Sequence, residues 1–294
     1  MSKHPLKADF YLLIVTLLAA ISWMFSKEAL SEMPPLLFIG SRFLLAGIFL
    51  ALFSRRSLIG LNPKQWLASA QVGTLFGFSM CLWIFGLFYS KHLGEGAFIT
   101  SIASILVAPI SFFIFKAKVE KSNWLALPIA FIGLALLSLE NGFQIEGSQA
   151  FFLAAAILLS LTFILNGRAA VRMSAAALTA ISLSFVGMMA IVISAYLENW
   201  PQHTSTSMVQ WLLLSALIGT AARFLLQTYA QGLTSPSHAA VIMILEPIWT
   251  ALIAAAWFNE RMSSLQLIGC SLIFAALIIN RWTSIKVWLS LKIS

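Results

Sequence analysis

Charged side chains are scarce in this chain. Asp, Glu, Lys and Arg together make up 10% of its 294 residues, and only 10 of them are acidic. A soluble domain of this size cannot cover its surface with so few charges, so a water-exposed globular fold is excluded. Cysteine is nearly absent too. Cys81 and Cys270 both fall inside apolar stretches, which excludes a disulfide framework and points to no metal or thiol chemistry. The phosphate loop G-x-x-x-x-G-K-[ST], the metal motif H-E-x-x-H and the nucleophile elbow G-x-S-x-G are all missing. Nothing therefore indicates direct use of ATP, a resident metal or any other cofactor.

What the chain has instead is hydrophobic sequence. Apolar residues make up 60% of it, and its mean hydropathy is +0.93. They form runs at 10–30, 36–53, 66–90, 94–115, 123–139, 149–167, 175–197, 208–231, 237–258 and 264–280. Each run approaches the roughly 20 residues a helix needs to cross about 30 Å of hydrocarbon. The connections are short and carry helix stops and turn residues, as in Glu32-Met33-Pro34-Pro35, Leu61-Asn62-Pro63-Lys64 and Glu140-Asn141-Gly142. The expected fold class is an all-α polytopic membrane protein: one bundle of ten consecutive antiparallel transmembrane helices. The first run follows a basic segment but is too long for a signal peptide, and it is expected to stay as a helix.

Lys and Arg concentrate in cytoplasmic loops. With the N-terminus inside, 13 of the 18 Lys and Arg fall on the inner side and Lys27, Lys91 and Arg261 on the outer, with Arg42 and Arg223 inside spans. Both termini are expected in the cytoplasm. The net charge of +8 is thereby a consequence of topology. The basic residues form no continuous stripe, which argues against a nucleic-acid partner.

The chain is written twice. Shifted by 142, residues 88–97 fall on 230–239 and Trp124 on Gln266; shifted by 140, Trp23 falls on Phe163, Ser26 on Asn166, and Ala46-Gly47 on Val186-Gly187. Five spans per copy is odd, so the second copy enters the membrane from the opposite side. Two inverted five-helix repeats are expected, at 7–140 and 148–281, with 282–294 a cytoplasmic tail. The tail alternates apolar and polar residues with a period of two and is not read as an amphipathic helix.

Several stretches carry a family likeness. The first run contains Ile21-Ser22-Trp23-Met24-Phe25-Ser26-Lys27, and the second opens with Pro34-Pro35 followed by Arg42-Phe43. The ninth contains Leu245-Glu246-Pro247-Ile248, then Asn259-Glu260-Arg261-Met262, with Gln266 and Gly269 beyond. In these the chain resembles the drug/metabolite transporter superfamily, in its EamA-like branch of ten-helix carriers. The first repeat departs from the pattern: Pro109 lies four places past the position matching Pro247, and Lys118 stands where the family has Glu. The resemblance implies a carrier for a small metabolite and not an enzyme. Its members export threonine and homoserine, cysteine-related metabolites or aromatic amino acids.

Ionisable groups inside a span cost roughly 2.5 to 3.5 kcal/mol on insertion scales and tend to face an interior or an aqueous cavity. Arg42, Arg223 and Glu246 are such groups. Counting about 1.5 Å per residue puts Arg223 and Glu246 at similar depth on consecutive helices, where they can pair as a transport element or as an inert clamp. Thr220, Arg223, Gln227 and Gln231 recur at spacings of three and four, on one helical face. This stripe reads as one wall of an aqueous path, or as polar groups bonded to the inner loops. Ala19, Ser22 and Ser26 in the first run, and Ala97, Ser101, Ser104 and Ala108 in the fourth, form small-residue faces. These serve close helix packing or a hydroxyl-bearing cavity wall. Trp23 lies about 20 Å from the inner side, too deep for an interfacial anchor on that side, and reads as cavity lining or packing, whereas Trp66, Trp124, Trp200, Trp211, Trp282 and Trp288 sit near span ends as anchors do. His238 opens the ninth span and reads as structural.

Trp23, Arg42, Phe78, Ser101, Ser104, Arg223, Gln227 and Glu246 are therefore the candidate substrate-binding residues. Arg42 or Arg223 would meet a carboxylate, Glu246 an ammonium or a proton, and Trp23 and Phe78 an apolar side chain. The expected function is secondary active export of an amino acid or related zwitterion across a bacterial inner membrane, by a monomer or homodimer, with protons as the candidate coupling ion. The rival readings are a membrane-embedded enzyme and a non-transporting scaffold. The enzyme would need a convergent nucleophile, base or metal set, and the sequence offers only isolated groups.

Overall fold

The computed structural model describes residues 5–89, 93–138, 147–201, 203–258 and 263–293. The loop 139–146, Lys91 and the motif Asn259-Glu260-Arg261-Met262 lie outside the described residues, as do the side chains of Ala97, Trp282 and Trp288. Every regular element among the described residues is helical. The first half holds α1 (Pro5–Leu30), α2 (Pro35–Phe53), α3 (Arg55–Ile59), α4 (Pro63–Tyr89), α5 (Leu93–Phe113) and α6 (Lys121–Ser138). The second holds α7 (Ser148–Ala170), α8 (Ala175–Leu197), α9 (Thr206–Ala216), a π-helical turn (Leu217–Ala222), α10 (Arg223–Leu233), α11 (Pro236–Met243), α12 (Glu246–Phe258) and α13 (Ser264–Ile293). Among the described residues, 7 helices are long and apolar enough to cross a membrane, and Ile99–Phe113, Lys121–Leu136 and Ser264–Asn280 are shorter apolar helices.

Three features depart from the sequence reading, and a fourth, the break of the ninth run, falls where its proline predicts. A short helix, α3, occupies the second connection. The eighth run is one helix with a π-helical turn in its middle. The ninth is broken into α11 and α12 just before Pro247, where a ring without an N–H leaves the Met243 carbonyl no donor four residues on. Finally, the helix of the tenth run continues to Ile293, so the tail is helical despite its period-two pattern. Extending an existing helix costs far less than nucleating one, and no Gly or Pro after Gly269 stops it.

The packing obeys an exchange rule. The most extensive contacts are α2 on α8 and α6 on α13, each helix on its counterpart five runs later. The contact of α4 with α7 has its counterpart in α1 with α9 and α10, and that of α5 with α7 in α1 with α11 and α12. The α2–α8 crossing gives the direction. A Cβ on Gly40 would meet Ile191, one on Gly47 would meet Ser184, and one on Gly187 would meet Leu44, all with closest atoms at 2.4–2.6 Å. Each step forward along α2 is thus a step backward along α8, and the two run antiparallel. The bare glycines let the backbones touch, as helix contacts inside lipid require.

Among the described residues, two larger apolar clusters make up most of the interior. One, around α2 and α8, includes Phe38, Phe43, Phe76 and Leu183. The other, around α6, α13 and the break in the ninth run, includes Leu127, Leu134, Leu245 and Ile273. Trp83 on α4 borders both.

Candidate functional site

Arg42 is buried in the middle of α2, with 7% of its surface exposed. Its Nε donates to Thr220 Oγ1 at 2.8 Å, one terminal nitrogen to Ser26 Oγ at 2.8 Å, and the other to Ser22 Oγ at 2.9 Å and the Gly219 carbonyl at 3.4 Å. Phe38 and Phe43 lie against the guanidinium, 5.4 and 5.5 Å from their ring centroids. No carboxylate is among these partners. The hydroxyls of Ser26 and Thr220 each give their proton to a backbone carbonyl, Ser22 and Ser215, which leaves their lone pairs for the cation. The Ser22–Ser26 face of α1 thus packs closely and also solvates a charge.

The π-helical turn makes this possible. It widens the helix by one residue per turn, and such turns are frequent at functional sites. Here it brings Gly219 and Thr220 against α1: a Cβ on Gly219 would lie 2.4 Å from Ser22 Oγ.

One turn on, Arg223 opens α10 and its terminal nitrogen lies 3.1 Å from Glu246 Oε2. The other oxygen of Glu246 accepts from Trp23 Nε1 at 3.3 Å. The Trp23 ring in turn meets Trp83 edge-on at 6.0 Å. Glu246 is the first residue of α12, where the positive end of the helix dipole favours its charge. The Arg223 and Glu246 side chains keep 18% and 20% of their surface and Trp23 keeps 41%. Arg223 Nε, Gln227 Oε1 and Trp249 Nε1 are buried with no hydrogen-bond partner among the described residues. Two guanidinium groups and one carboxylate thus share this interior, an excess of one positive charge. Buried unpaired polar atoms are costly and are ordinarily met by water or a polar ligand.

The structure therefore joins Trp23, Arg223 and Glu246, with Gln227 one turn from Arg223, and gathers Arg42 with Ser22, Ser26 and Thr220. Adjacent residues of α1, Ser22 and Trp23, belong one to each group. Phe78 is 54% exposed and lies about 140° around α4 from Trp83. Ser101 and Ser104 are half-buried on α5, and no contact described here joins them to Glu246. Gln231 leaves the stripe for a structural role: its Oε1 accepts from Asn166, which also donates to Thr228. His238 Nε2 lies 2.8 Å from Asp9 Oδ1 and ties α11 to α1. Trp66, Trp124 and Trp200 are exposed as anchors would be, whereas Trp211 packs on Phe25. Sequence reasoning missed Trp83, Trp249 and Asn166. Only Trp249 carried a signal, being three residues past Glu246 on the same helix.

Comparison with known proteins agrees with this architecture. The model of the EamA-like transporter family matches residues 6–139 and again 148–282. An uncharacterized transporter of Archaeoglobus fulgidus is 28% identical over 274 residues, 93% of this chain and 85% of the relative. A probable amino-acid metabolite efflux pump of Salmonella typhimurium is 22% identical, over 93% of this chain and 94% of its own. A solved crystal structure with 16% identity superposes with a TM-score of 0.79, covering 94% of this chain and 98% of that one, which shows a shared fold.

Proposed function

Because the chain belongs to the EamA-like transporter family, we propose that it is a secondary carrier exporting an amino acid or a related zwitterion across a bacterial inner membrane, with protons as the coupling ion. The observation that carries this reading is the part-exposed Arg223–Glu246 pair at the break of the ninth run, with Arg223 Nε buried and unpaired. A broken helix at mid-membrane frees backbone groups and is tolerated where it lines a cavity or a binding site. A substrate carboxylate fits the open Arg223 donor and the excess positive charge. A substrate ammonium fits Glu246 and the face of Trp23, which attracts cations. Arg42 already has protein partners, so Arg223 is the better carboxylate anchor and Arg42 a positioning residue. The Salmonella relative's name supports the amino-acid class.

The test is transport by the purified protein in proteoliposomes. Labelled amino acids should exchange across the membrane and accumulate against their gradient when a pH difference is imposed, and their methyl esters should not compete. Glu246→Gln should keep exchange, weakened by the lost ammonium partner, and lose pH-driven accumulation. Full accumulation by a stable Glu246→Gln protein would remove protons from the mechanism at this residue. Esters competing as well as the free acids would remove the carboxylate site.

A further inference from the structure

The structure carries a second feature on the other side of α10. A groove of about 640 Å³ runs between α1, the α7–α8 connection and α10, lined by Tyr11, Met173, Ala176, Leu225, Tyr229 and Leu233 among others. It is not part of the polar interior. In α10, Arg223, Gln227 and Gln231 share one face, while Leu225, Tyr229 and Gly232 lie about 170° away at 100° per residue. In a membrane protein that outward face meets lipid.

The groove is apolar along its length and cationic at one end. Tyr11 and Tyr229 meet edge-on at 5.4 Å, and the exposed Lys7 ammonium sits over both rings, 6.0 and 5.6 Å from their centroids. Arg172, also exposed, stands between the lining residues Val171 and Met173. No acidic side chain is among the described lining residues. The Lys/Arg distribution assigns this end of the bundle to the cytoplasmic side, where anionic headgroups attract basic residues.

We propose that this groove is a binding site for one anionic phospholipid of the inner leaflet. An acyl chain lies along Leu225, Met173 and Leu233, and the phosphate meets Lys7 and Arg172. The apolar walls fit any phospholipid tail. Selection for an anionic one comes from the two cations, each contributing about fivefold near a membrane surface.

Native mass spectrometry of the detergent-solubilised protein, titrated with phosphatidylglycerol or with phosphatidylcholine of the same chains, tests this. One phosphatidylglycerol should be retained at concentrations where phosphatidylcholine is lost. Lys7→Ala and Arg172→Ala should each weaken that retention about fivefold and together about 25-fold. Lys118→Ala, which removes an exposed cation from the α5–α6 connection, should leave it unchanged. Ala176→Trp, which fills the groove, should weaken both lipids; the charge variants decide the matter if that protein fails to fold. Equal retention of the two lipids, or equal effects of Lys7→Ala, Arg172→Ala and Lys118→Ala, would mean ordinary surrounding lipid and overturn the proposal. So would displacement of phosphatidylglycerol by free glycerol phosphate, since the site would then select a soluble anion.

Discussion

Arg42 shows how a charge is held inside a membrane protein with no carboxylate among its described partners. Its planar fork meets three hydroxyls and a carbonyl from α1 and the π-helical turn, so every contact depends on donor direction as well as on charge. Arg42→Lys keeps the charge but offers donors from a single point, which cannot reach Ser22, Ser26 and Thr220 together. It should lower thermal stability in detergent, by on the order of 2 kcal/mol or more if two of the hydroxyl contacts are lost. A protein with unchanged melting would show that water replaces the fork. Gly219→Ala probes the same place from the other side. Its new methyl would overlap Ser22, and overpacking of this kind typically costs about 1 to 3 kcal/mol. Because the overlap falls on an Arg42 ligand, the two substitutions should cost less together than the sum of each alone. Additive melting shifts would separate the π-helical turn from the Arg42 shell.

Among the elements, α2 depends on a residue more than 160 positions away. It begins at Pro35, its N-cap Pro34 supplies no side-chain cap, and Phe38 N–H bonds the Pro34 carbonyl. The two N–H groups left over belong to Leu36 and Leu37, and each donates to one oxygen of Glu198 at 2.8 Å. Glu198 is oriented in turn by the hydroxyl of Ser194. Glu198→Gln turns one of those acceptors into a donor facing an N–H. It should cost about 1 to 2 kcal/mol, read as an earlier melting midpoint. The elements were legible in sequence where hydrophobic length decides them, as in α8, whose run at 175–197 has the observed bounds. The break before Pro247 was also legible, because proline's missing N–H is a local fact. The π-helical turn was not: Leu217–Ala222 contains no proline, and only the approach of α1 at Gly219 explains why the helix widens there. The same limit applies to the site. Arg223 facing Glu246 followed from depth counting, but Trp23 on Glu246 and the hydroxyl shell of Arg42 depend on how α1 is rotated. Periodicity does not determine that rotation when most faces of a helix are apolar.

The whole molecule is organised by which connections share an end. Gln65, after the second run, donates to the Arg172 carbonyl after the sixth, and His238, opening the ninth, meets Asp9 in the first turns of the chain. At the opposite end, Ser205 donates to Glu32, and Glu198 caps α2. The N-terminus and the connections after even-numbered runs therefore gather at one end, and those after the first and seventh at the other. This is the alternation that consecutive crossings require. It also agrees with the antiparallel contact of α2 with its counterpart α8, as expected if each of the two family-model copies makes an odd number of crossings and so starts from the opposite face. The side on which each end lies is an expectation from charge: the sequence divides its loop Lys and Arg 13 to 3 in favour of the connections that share the N-terminal side. A protein with Cys81 and Cys270 replaced by Ala offers a direct measurement. A single cysteine at Thr204, exposed between α8 and α9, should react with a membrane-impermeant maleimide in intact cells. One at Gly60, exposed between α3 and α4, should react only after the membrane is permeabilised. Reversed labelling would invert the orientation, and would move the lipid groove to the outer leaflet with it. Labelling of both sites from outside would break the alternation itself, and with it the inverted arrangement of the two copies.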